Sequence, residues 1–162
     1  MIQVEIRRAG EMDARAITEL LNEIIEVGGT TAITEPMKPQ DIVNLMRNAP
    51  RNAWHLAEDQ NGELLGFQWI DQIEQLPAEA ASIATFARLG KTGLGIGSRL
   101  FEATKLAAKS LGYTWINANI RADNTGGMIY YQSRGFEDYG VQKGVKLADG
   151  SQVDKVLKCF DL

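Results

Sequence analysis

The most informative segment of this 162-residue chain reads Gly90-Lys91-Thr92-Gly93-Leu94-Gly95-Ile96-Gly97-Ser98. It follows a predicted strand at 81–87, and the residues after it have the apolar spacing of a long helix. Alternating glycines let the backbone bend and let a ligand approach without clashing against Cβ atoms. The first N–H groups of a helix lack partners within the helix, and the positive end of its dipole lies behind them. The segment therefore predicts a phosphate or pyrophosphate site.

Four interpretations of this glycine loop compete. A P-loop needs GxxxxGK followed by Ser or Thr, but its first glycine would fall on Thr85, and the other glycines follow Lys91 instead of preceding it. A dinucleotide fold needs GxGxxG in the first β-α unit of a parallel sheet. Here the spacing is GxGxG and antiparallel strands are predicted before it. A loop for the pyrophosphate of coenzyme A and a purely structural turn remain, and the loop alone does not decide between them.

The rest of the chain alternates between helical and strand patterns. Strands are predicted at 2–7, 53–58, 64–70, 81–87, 115–120, 136–142 and 153–160, and helices at 13–27, 39–48, 98–111 and 124–134. Asp13 is the predicted N-cap of the first helix, and Asn61-Gly62 supplies the tight turn of a hairpin. The order β-α-α-β-β-β-α-β-α-β-β predicts one mixed α/β domain over residues 1–162, without repeats or linkers.

Composition narrows the class of partner. Seventeen basic residues against 21 acidic ones give a net charge of -4, which argues against a general binder of nucleic acid or of anionic membranes. Cys159 is the one cysteine, so an intramolecular disulfide is excluded and the spacings of zinc or redox sites are absent. No metal site is predicted. No apolar run reaches the roughly 18 residues of a membrane span, and we expect a cytoplasmic protein.

A second segment reads Asn124-Thr125-Gly126-Gly127-Met128-Ile129-Tyr130-Tyr131-Gln132-Ser133-Arg134-Gly135-Phe136. It resembles the signature of the GCN5-related N-acetyltransferase (GNAT) superfamily that has Asn, a small residue, Tyr, Gly and Phe at these spacings, with Gly127 at the small position. The glycine loop resembles the superfamily's motif A, with Gly95 and Gly97 at its glycine end and Thr92 in place of the usual Gln or Arg. The resemblance implies a largely antiparallel, splayed sheet of about seven strands, flanked by four helices, with acetyl-CoA in the cleft.

Within that superfamily the chain is similar to the phosphinothricin and methionine-sulfoximine acetyltransferase branch. The similarity runs through Asn22–Ile25, Thr30–Pro36 and the tail from Gly135. Two positions depart from the branch: Gln152 replaces an aromatic residue, and Ser82 replaces a glutamate of the herbicide-modifying enzymes.

The resemblance also implies the residues that hold acetyl-CoA. The pantetheine arm would pair with the strand before the loop, and the phosphates would lie on the loop and the helix start. The predicted cofactor-binding residues are Thr85, Phe86, Ala87, Thr92, Gly93, Gly95, Gly97, Ser98 and Asn124.

The catalytic candidates follow from the needs of acyl transfer, in which an uncharged amine attacks and a thiolate leaves. Tyr131 is the candidate general acid, because a phenol holds its proton at neutral pH, and Tyr130 is expected to face the other way. Glu35 is the candidate general base; Glu79 and a water relay stay open. His55 is expected to pack in a strand.

The predicted acceptor is the primary amine of a small molecule, with amino acids and their analogues first. A protein N-terminus or lysine, or an aminoglycoside, is the alternative within the same chemistry. A sensor that binds acyl-CoA without turnover, or a nucleotide-binding domain, would belong to a different class. A homodimer is possible from the resemblance.

Overall fold

The computed structural model describes residues 2–91 and 94–162, and Thr92 and Gly93 lie outside that range. The described elements are β1 (Glu5–Arg8), α1 (Ala14–Val27), α2 (Pro39–Asn48), β2 (Ala53–Glu58), β3 (Leu64–Asp71), β4 (Ala80–Ala87), α3 (Ile96–Ser110), β5 (Trp115–Arg121), α4 (Thr125–Ser133), β6 (Glu137–Lys146) and β7 (Gln152–Asp161). Across these residues, no helix has both the length and the apolar character needed to cross a bilayer.

The first helix begins differently from its prediction. Its apolar stripe is buried as the spacing requires, at Ile17, Leu20, Leu21, Ile24 and Ile25. Asp13, however, does not cap it. A 3-10 turn over Glu11–Asp13 precedes the helix, and the Asp13 carboxylate accepts hydrogen bonds from the Gly10 N–H and the Arg7 guanidinium instead. The N-cap is therefore Gly10, three residues before Asp13, and it has an extended backbone conformation.

The seven strands form one sheet in the order β1-β2-β3-β4-β5-β7-β6. Every neighbouring pair is antiparallel except β4 and β5. That parallel pairing covers three positions and ends at Ser82 opposite Asn117, so the last five residues of β4 diverge from β5. The predicted splayed, mostly antiparallel sheet is confirmed, and the gap between β4 and β5 is where a ligand can enter.

The pairing of β4 with β3 determines which backbone groups face that gap. The Arg88 N–H donates to the Leu65 carbonyl at 2.7 Å, and the register between the two strands is unbroken from Asp71 opposite Ser82 to Gly66 opposite Ala87. In an antiparallel ladder alternate residues bond to a given neighbour. Phe86 therefore bonds toward β3, while the N–H and C=O groups of Thr85 and Ala87 point into the gap.

Hydrophobic clusters pack both faces of the sheet against the helices. On one face, α1 and α2 cover a stack of aromatic rings that includes Trp54 and Trp69, whose centroids lie 4.2 Å apart. On the other face, Phe101 of α3 packs against Phe136 and Phe160. Both faces of the sheet are thus packed with apolar side chains on either side of the splay.

Asp71, at the end of β3, gives the fold a predicted pH dependence. The side chain is 9% exposed, and burial raises the pKa of its carboxyl from 3.8 to about 6, although a hydrogen bond from the Trp69 side chain offsets part of this rise. Because the folded-state pKa is the higher one, the stabilisation from this group is complete below about pH 4 and is lost as pH rises through 6.

We expect Asp71→Asn to remove this dependence, because the amide stays neutral. At pH 7.5 the variant should exceed the wild type in free energy of unfolding by about 1–2 kcal/mol, and near pH 4 the two should agree. Urea unfolding at both pH values measures the difference. An equal difference at the two pH values would show that the carboxyl does not titrate in this range.

Candidate active site

A cavity of about 580 Å³ lies along the end of β4, where this strand diverges from β5. Such a volume is typical of small-molecule sites. The end of β4, the first turn of α3, one side of α4 and the segment between α1 and α2 contribute its walls. Seven of the nine predicted cofactor-binding residues line it, namely Thr85, Phe86, Ala87, Gly95, Gly97, Ser98 and Asn124; the other two, Thr92 and Gly93, lie outside the described residues. Tyr131 lines it as well.

The first turn of α3 forms one end of the cavity. Gly95 caps the helix in the left-handed region, at φ 71°, a conformation that glycine adopts without strain. The N–H groups of the residues that follow begin the helix and have no carbonyl partner within it. With the helix dipole behind them they present a positive surface to the cavity, which suits an anionic group.

The loop pattern suggests that Gly97 leaves room for a ligand, and the structure adds a second reason for a glycine at this position. A Cβ at this position would lie 2.5 Å from Cε1 of Tyr130. The absence of a side chain lets the Tyr130 ring pack directly on the helix backbone. The glycine thus accommodates a protein ring as well as leaving room for a ligand.

Two cationic side chains, Lys91 and Arg134, line the cavity near this helix start. Nη1 of Arg134 donates to the Ser98 hydroxyl at 2.6 Å, while its buried Nε finds no hydrogen-bond partner among the described residues. Arg134 thus places a guanidinium at the cavity wall beside the start of α3, where its charge favours an anionic ligand.

Tyr131 lies on the inner side of α4 and is 7% exposed. Its hydroxyl oxygen is 2.8 Å from the Thr85 hydroxyl on β4. Burial raises the pKa of Tyr131 well above the ordinary 10 of a phenol, and the hydrogen bond with Thr85 opposes part of that rise. The side chain therefore holds its proton at neutral pH beside the strand whose backbone faces the gap.

Tyr130 corrects a prediction, because it lines the same cavity instead of facing away. Its hydroxyl donates to the Gly97 carbonyl at 2.7 Å and accepts from Gln68 Nε2 at 3.1 Å. Burial raises the pKa of Tyr130 to about 12, with smaller opposing effects from Gln68 and Arg134. Its proton is engaged by a backbone carbonyl, so Tyr131 is the better placed of the two to donate to a ligand.

Asn124 combines two structural contacts at the mouth of the cavity. Its side-chain oxygen caps α4 by accepting from the Gly127 N–H at 3.0 Å, and its Nδ2 donates to the Thr30 carbonyl, also at 3.0 Å. A Cβ on Gly127 would lie 2.5 Å from that Nδ2. This contact explains why the signature's small residue is a glycine in this chain.

The candidate bases lie apart from the cavity. Glu35 and Glu79 are exposed, and neither belongs to the described residues that line the cavity. His55 is 8% exposed in β2, and burial, with a smaller effect from Arg8, lowers its pKa to about 4. The role of Glu35 as general base therefore stays a prediction.

Three residues of this region were missed from sequence: Gln68, Tyr130 and Arg134. Gln68 is fully buried in β3. A long amide in the middle of an apolar strand is a signal of a buried polar network, since an unpaired amide there would be costly. The adjacent tyrosines and the arginine before Gly135 were visible, but their partners on β3 and α3 are distant in sequence.

Comparison with known proteins agrees with this geometry, although no protein-family model matches the chain. YwnH of Bacillus subtilis, whose name assigns it provisionally to the phosphinothricin acetyltransferases, is 26% identical over 152 residues, 92% of this chain and 93% of YwnH. The phosphinothricin N-acetyltransferase of Streptomyces coelicolor is 26% identical over 151 residues, 88% of this chain and 87% of that protein.

Solved structures add agreement in three dimensions. A GNAT-superfamily phosphinothricin acetyltransferase from Sinorhizobium meliloti, crystallised with AcCoA, superposes with a TM-score of 0.86 at 20% identity, over 98% of this chain and 88% of that chain. The resemblance to the GNAT superfamily and to its phosphinothricin acetyltransferase branch is confirmed.

Proposed function

We propose that this chain, an acetyltransferase with the GNAT fold, transfers the acetyl group of acetyl-CoA to the primary amine of a small molecule, with amino acids and their analogues first. The observation that carries the proposal is the cavity along the end of β4, which joins the backbone N–H groups at the start of α3 to a buried tyrosine. Phosphate binding and proton donation are thereby available along one continuous surface.

The residues of the cavity fit coenzyme A along its length. The backbone groups of Thr85 and Ala87 that point into the gap can pair with the amides of the pantetheine arm. The amides at the start of α3, together with Lys91 and Arg134, can bind its phosphates. Of the two cationic residues, Arg134 is the one held against the start of α3, by its hydrogen bond to Ser98.

Acetyl-CoA, when bound, supplies a thioester carbonyl that an uncharged amine can attack. The chain's own residues contribute three actions to the reaction. A backbone N–H from the end of β4 can stabilise negative charge on the carbonyl oxygen. Tyr131 can give its proton to the departing sulfur. Because a thiol has a pKa near 8.5, below that of a phenol, this transfer requires that the phenolate oxygen be stabilised. Glu35, or water ordered by the site, would remove the proton of the amine.

The acceptor class is inferred from the named relatives. Relatives named phosphinothricin acetyltransferases favour an amino-acid analogue, whereas Ser82 and Gln152 depart from the branch and favour a different member of that class. We further propose that residues 1–162 work as one catalytic domain in the cytoplasm; the resemblance adds a homodimer as the oligomeric state to test.

The experiment is a thiol-release assay with acetyl-CoA across amino acids, amino-acid analogues, polyamines, aminoglycosides and peptides. We expect turnover with one amine class, and mass spectrometry of the product should show the addition of one acetyl group. Coenzyme A binding without turnover on any acceptor would favour a sensor. No coenzyme A binding would contradict the proposal.

The role of Arg134 gives a separate prediction. We expect Arg134→Met to weaken coenzyme A binding about ten-fold, because one charge-assisted hydrogen bond to a phosphate is lost from a half-buried position. Calorimetry with coenzyme A and with 3′-dephospho-coenzyme A distinguishes the phosphates. If the variant loses affinity for coenzyme A only, Arg134 binds the 3′-phosphate. If it loses affinity for both ligands, Arg134 binds the pyrophosphate.

A matched control for this prediction is Arg99→Met. Arg99 lies on the same helix start but is exposed, and its guanidinium donates to the Val4 carbonyl outside the cavity. Its replacement should leave the affinity for both ligands within two-fold. Equal losses in the two variants would assign the effect of Arg134 to general positive charge.

A further inference from the structure

A continuous chain of hydrogen bonds joins the two tyrosines through Gln68. The Gln68 amide nitrogen donates to the Thr85 hydroxyl at 2.8 Å and to the Tyr130 hydroxyl at 3.1 Å. Thr85 is in turn 2.8 Å from the Tyr131 hydroxyl. Gln68 is completely buried in β3, while Thr85 and Tyr130 are half-buried and line the cavity, so the chain of hydrogen bonds connects the interior of the sheet to the site.

The orientation of this chain is determined at its Tyr130 end. The Tyr130 hydroxyl donates to the Gly97 carbonyl, which can only accept, so the Tyr130 oxygen must accept from its other partner. The group facing it is therefore the amide nitrogen of Gln68. The other hydrogen of the same nitrogen then points at Thr85. The buried Gln68 oxygen is left without a partner among the described residues, which is the cost of this orientation.

We propose that Gln68 is a positioning residue for Tyr131: by donating to Thr85 it directs the Thr85 hydroxyl toward the Tyr131 oxygen and leaves the Tyr131 proton free to face the cavity. Thr85 then stabilises the oxygen from which the proton departs. The hydrogen-bond geometry stands by itself, and the consequence for acetyl transfer rests on the proposed function.

The proton balance of the step is simple. Acetyl transfer forms a C–N bond to the acetyl carbon and breaks its C–S bond. The sulfur leaves with the electron pair of the C–S bond and takes the Tyr131 proton, while the nitrogen loses a proton to solvent. The phenolate at Tyr131 accepts a hydrogen bond from Thr85 until it regains a proton from solvent. Gln68 polarises Thr85 throughout and exchanges no proton itself.

The test follows ionisation of residue 131 in the protein without ligand. A polyfluorinated tyrosine at position 131 lowers the phenol pKa by several units into a range where the protein stays folded, and its ¹⁹F resonances are followed through a pH titration. We expect Gln68→Met to raise the pKa of the probe by about 0.5 and Thr85→Val by about 1, because each removes stabilisation of the phenolate. The double variant should match Thr85→Val, because Gln68 acts through Thr85. Tyr130, Arg134 and Lys91 are the other ionisable groups that line the same cavity, and they are unchanged in every variant.

Thr104→Val is the control, since Thr104 is fully buried in α3 and its hydroxyl has no partner among the described residues. It should leave the titration unchanged. Gln68→Asn, which keeps an amide but shortens its reach, replaces Gln68→Met if that variant does not fold. An unchanged probe pKa in the Gln68 variants, or the same increase with and without Thr85, would overturn the inference.

Turnover gives the second readout, and it separates this inference from the proposed function. Gln68→Met should lower kcat about ten-fold with little change in KM for acetyl-CoA, and should have no effect when residue 131 is phenylalanine. A wild type that releases no thiol with any amine would contradict the proposed function, whereas the titration would still decide the role of Gln68. An equal effect of Gln68→Met in both backgrounds would overturn the inference alone.

Discussion

Replacing Tyr131 by phenylalanine should lower kcat by about 10² to 10³ while leaving KM for acetyl-CoA within two-fold, because a general acid acts on the transition state and contributes little to ground-state binding. The structure gives this residue the required properties. It is buried against β4, where the thioester would lie, and the hydrogen bond with Thr85 lowers the pKa of its phenol against the larger rise caused by burial. Steady-state thiol release with the acceptor found in the amine panel measures the effect.

Tyr130→Phe is the matched comparison, because the two rings are neighbours with centroids 5.0 Å apart and differ in where their protons go. Tyr130 donates to the Gly97 carbonyl, so its loss should disturb packing and cost less than ten-fold in kcat. If the two variants were equally impaired, or if Tyr130→Phe were the worse, the assignment of the acid to Tyr131 would be wrong. Thermal melting of both variants separates loss of fold from loss of chemistry.

The sequence was sufficient for the fold because its strongest patterns are local. Asn61-Gly62 predicts the turn of the hairpin between β2 and β3, and Gly62 has the positive φ, 80°, that the turn requires. The bounds predicted for β2 and α2 agree with the structure. The prediction that Asp13 caps α1 was wrong because a 3-10 turn precedes this helix. The Asp13 carboxylate accepts a hydrogen bond from the Gly10 N–H at the start of that turn instead.

The site was less accessible from sequence, since its contacts join distant segments. The spacing after Asn124 identified Tyr131, and motif A identified the start of α3. No local pattern places Gln68 beside Thr85 and Tyr130, because that arrangement depends on the register between β3 and β4 and on how α4 packs over them. The same holds for Arg134, whose partner Ser98 is 36 residues away. Periodicity shows which residues are buried, but the partners of buried polar groups are set by tertiary packing.

Gly97→Ala adds a single methyl group, and we expect it to have the second of the two largest effects. In an ordinary helix interior, alanine is favoured over glycine by about 1 kcal/mol. Here the new Cβ would lie 2.5 Å from the Tyr130 ring, which cannot move without breaking its hydrogen bonds to Gly97 and Gln68. We expect a net loss of about 1–2 kcal/mol in the free energy of unfolding, and at least ten-fold weaker coenzyme A binding, because the displaced ring enters the cavity.

The cause can be isolated with Tyr130→Ala, which removes the ring that the methyl group would strike. In that background Gly97→Ala should become stabilising by up to about 1 kcal/mol, because only the helix preference of alanine remains. Urea unfolding of the four proteins in this cycle gives the coupling between the two positions. A Gly97→Ala effect of the same size and sign in both backgrounds would mean that the ring does not restrict position 97. A change of sign would show that Tyr130 is what requires a glycine at position 97.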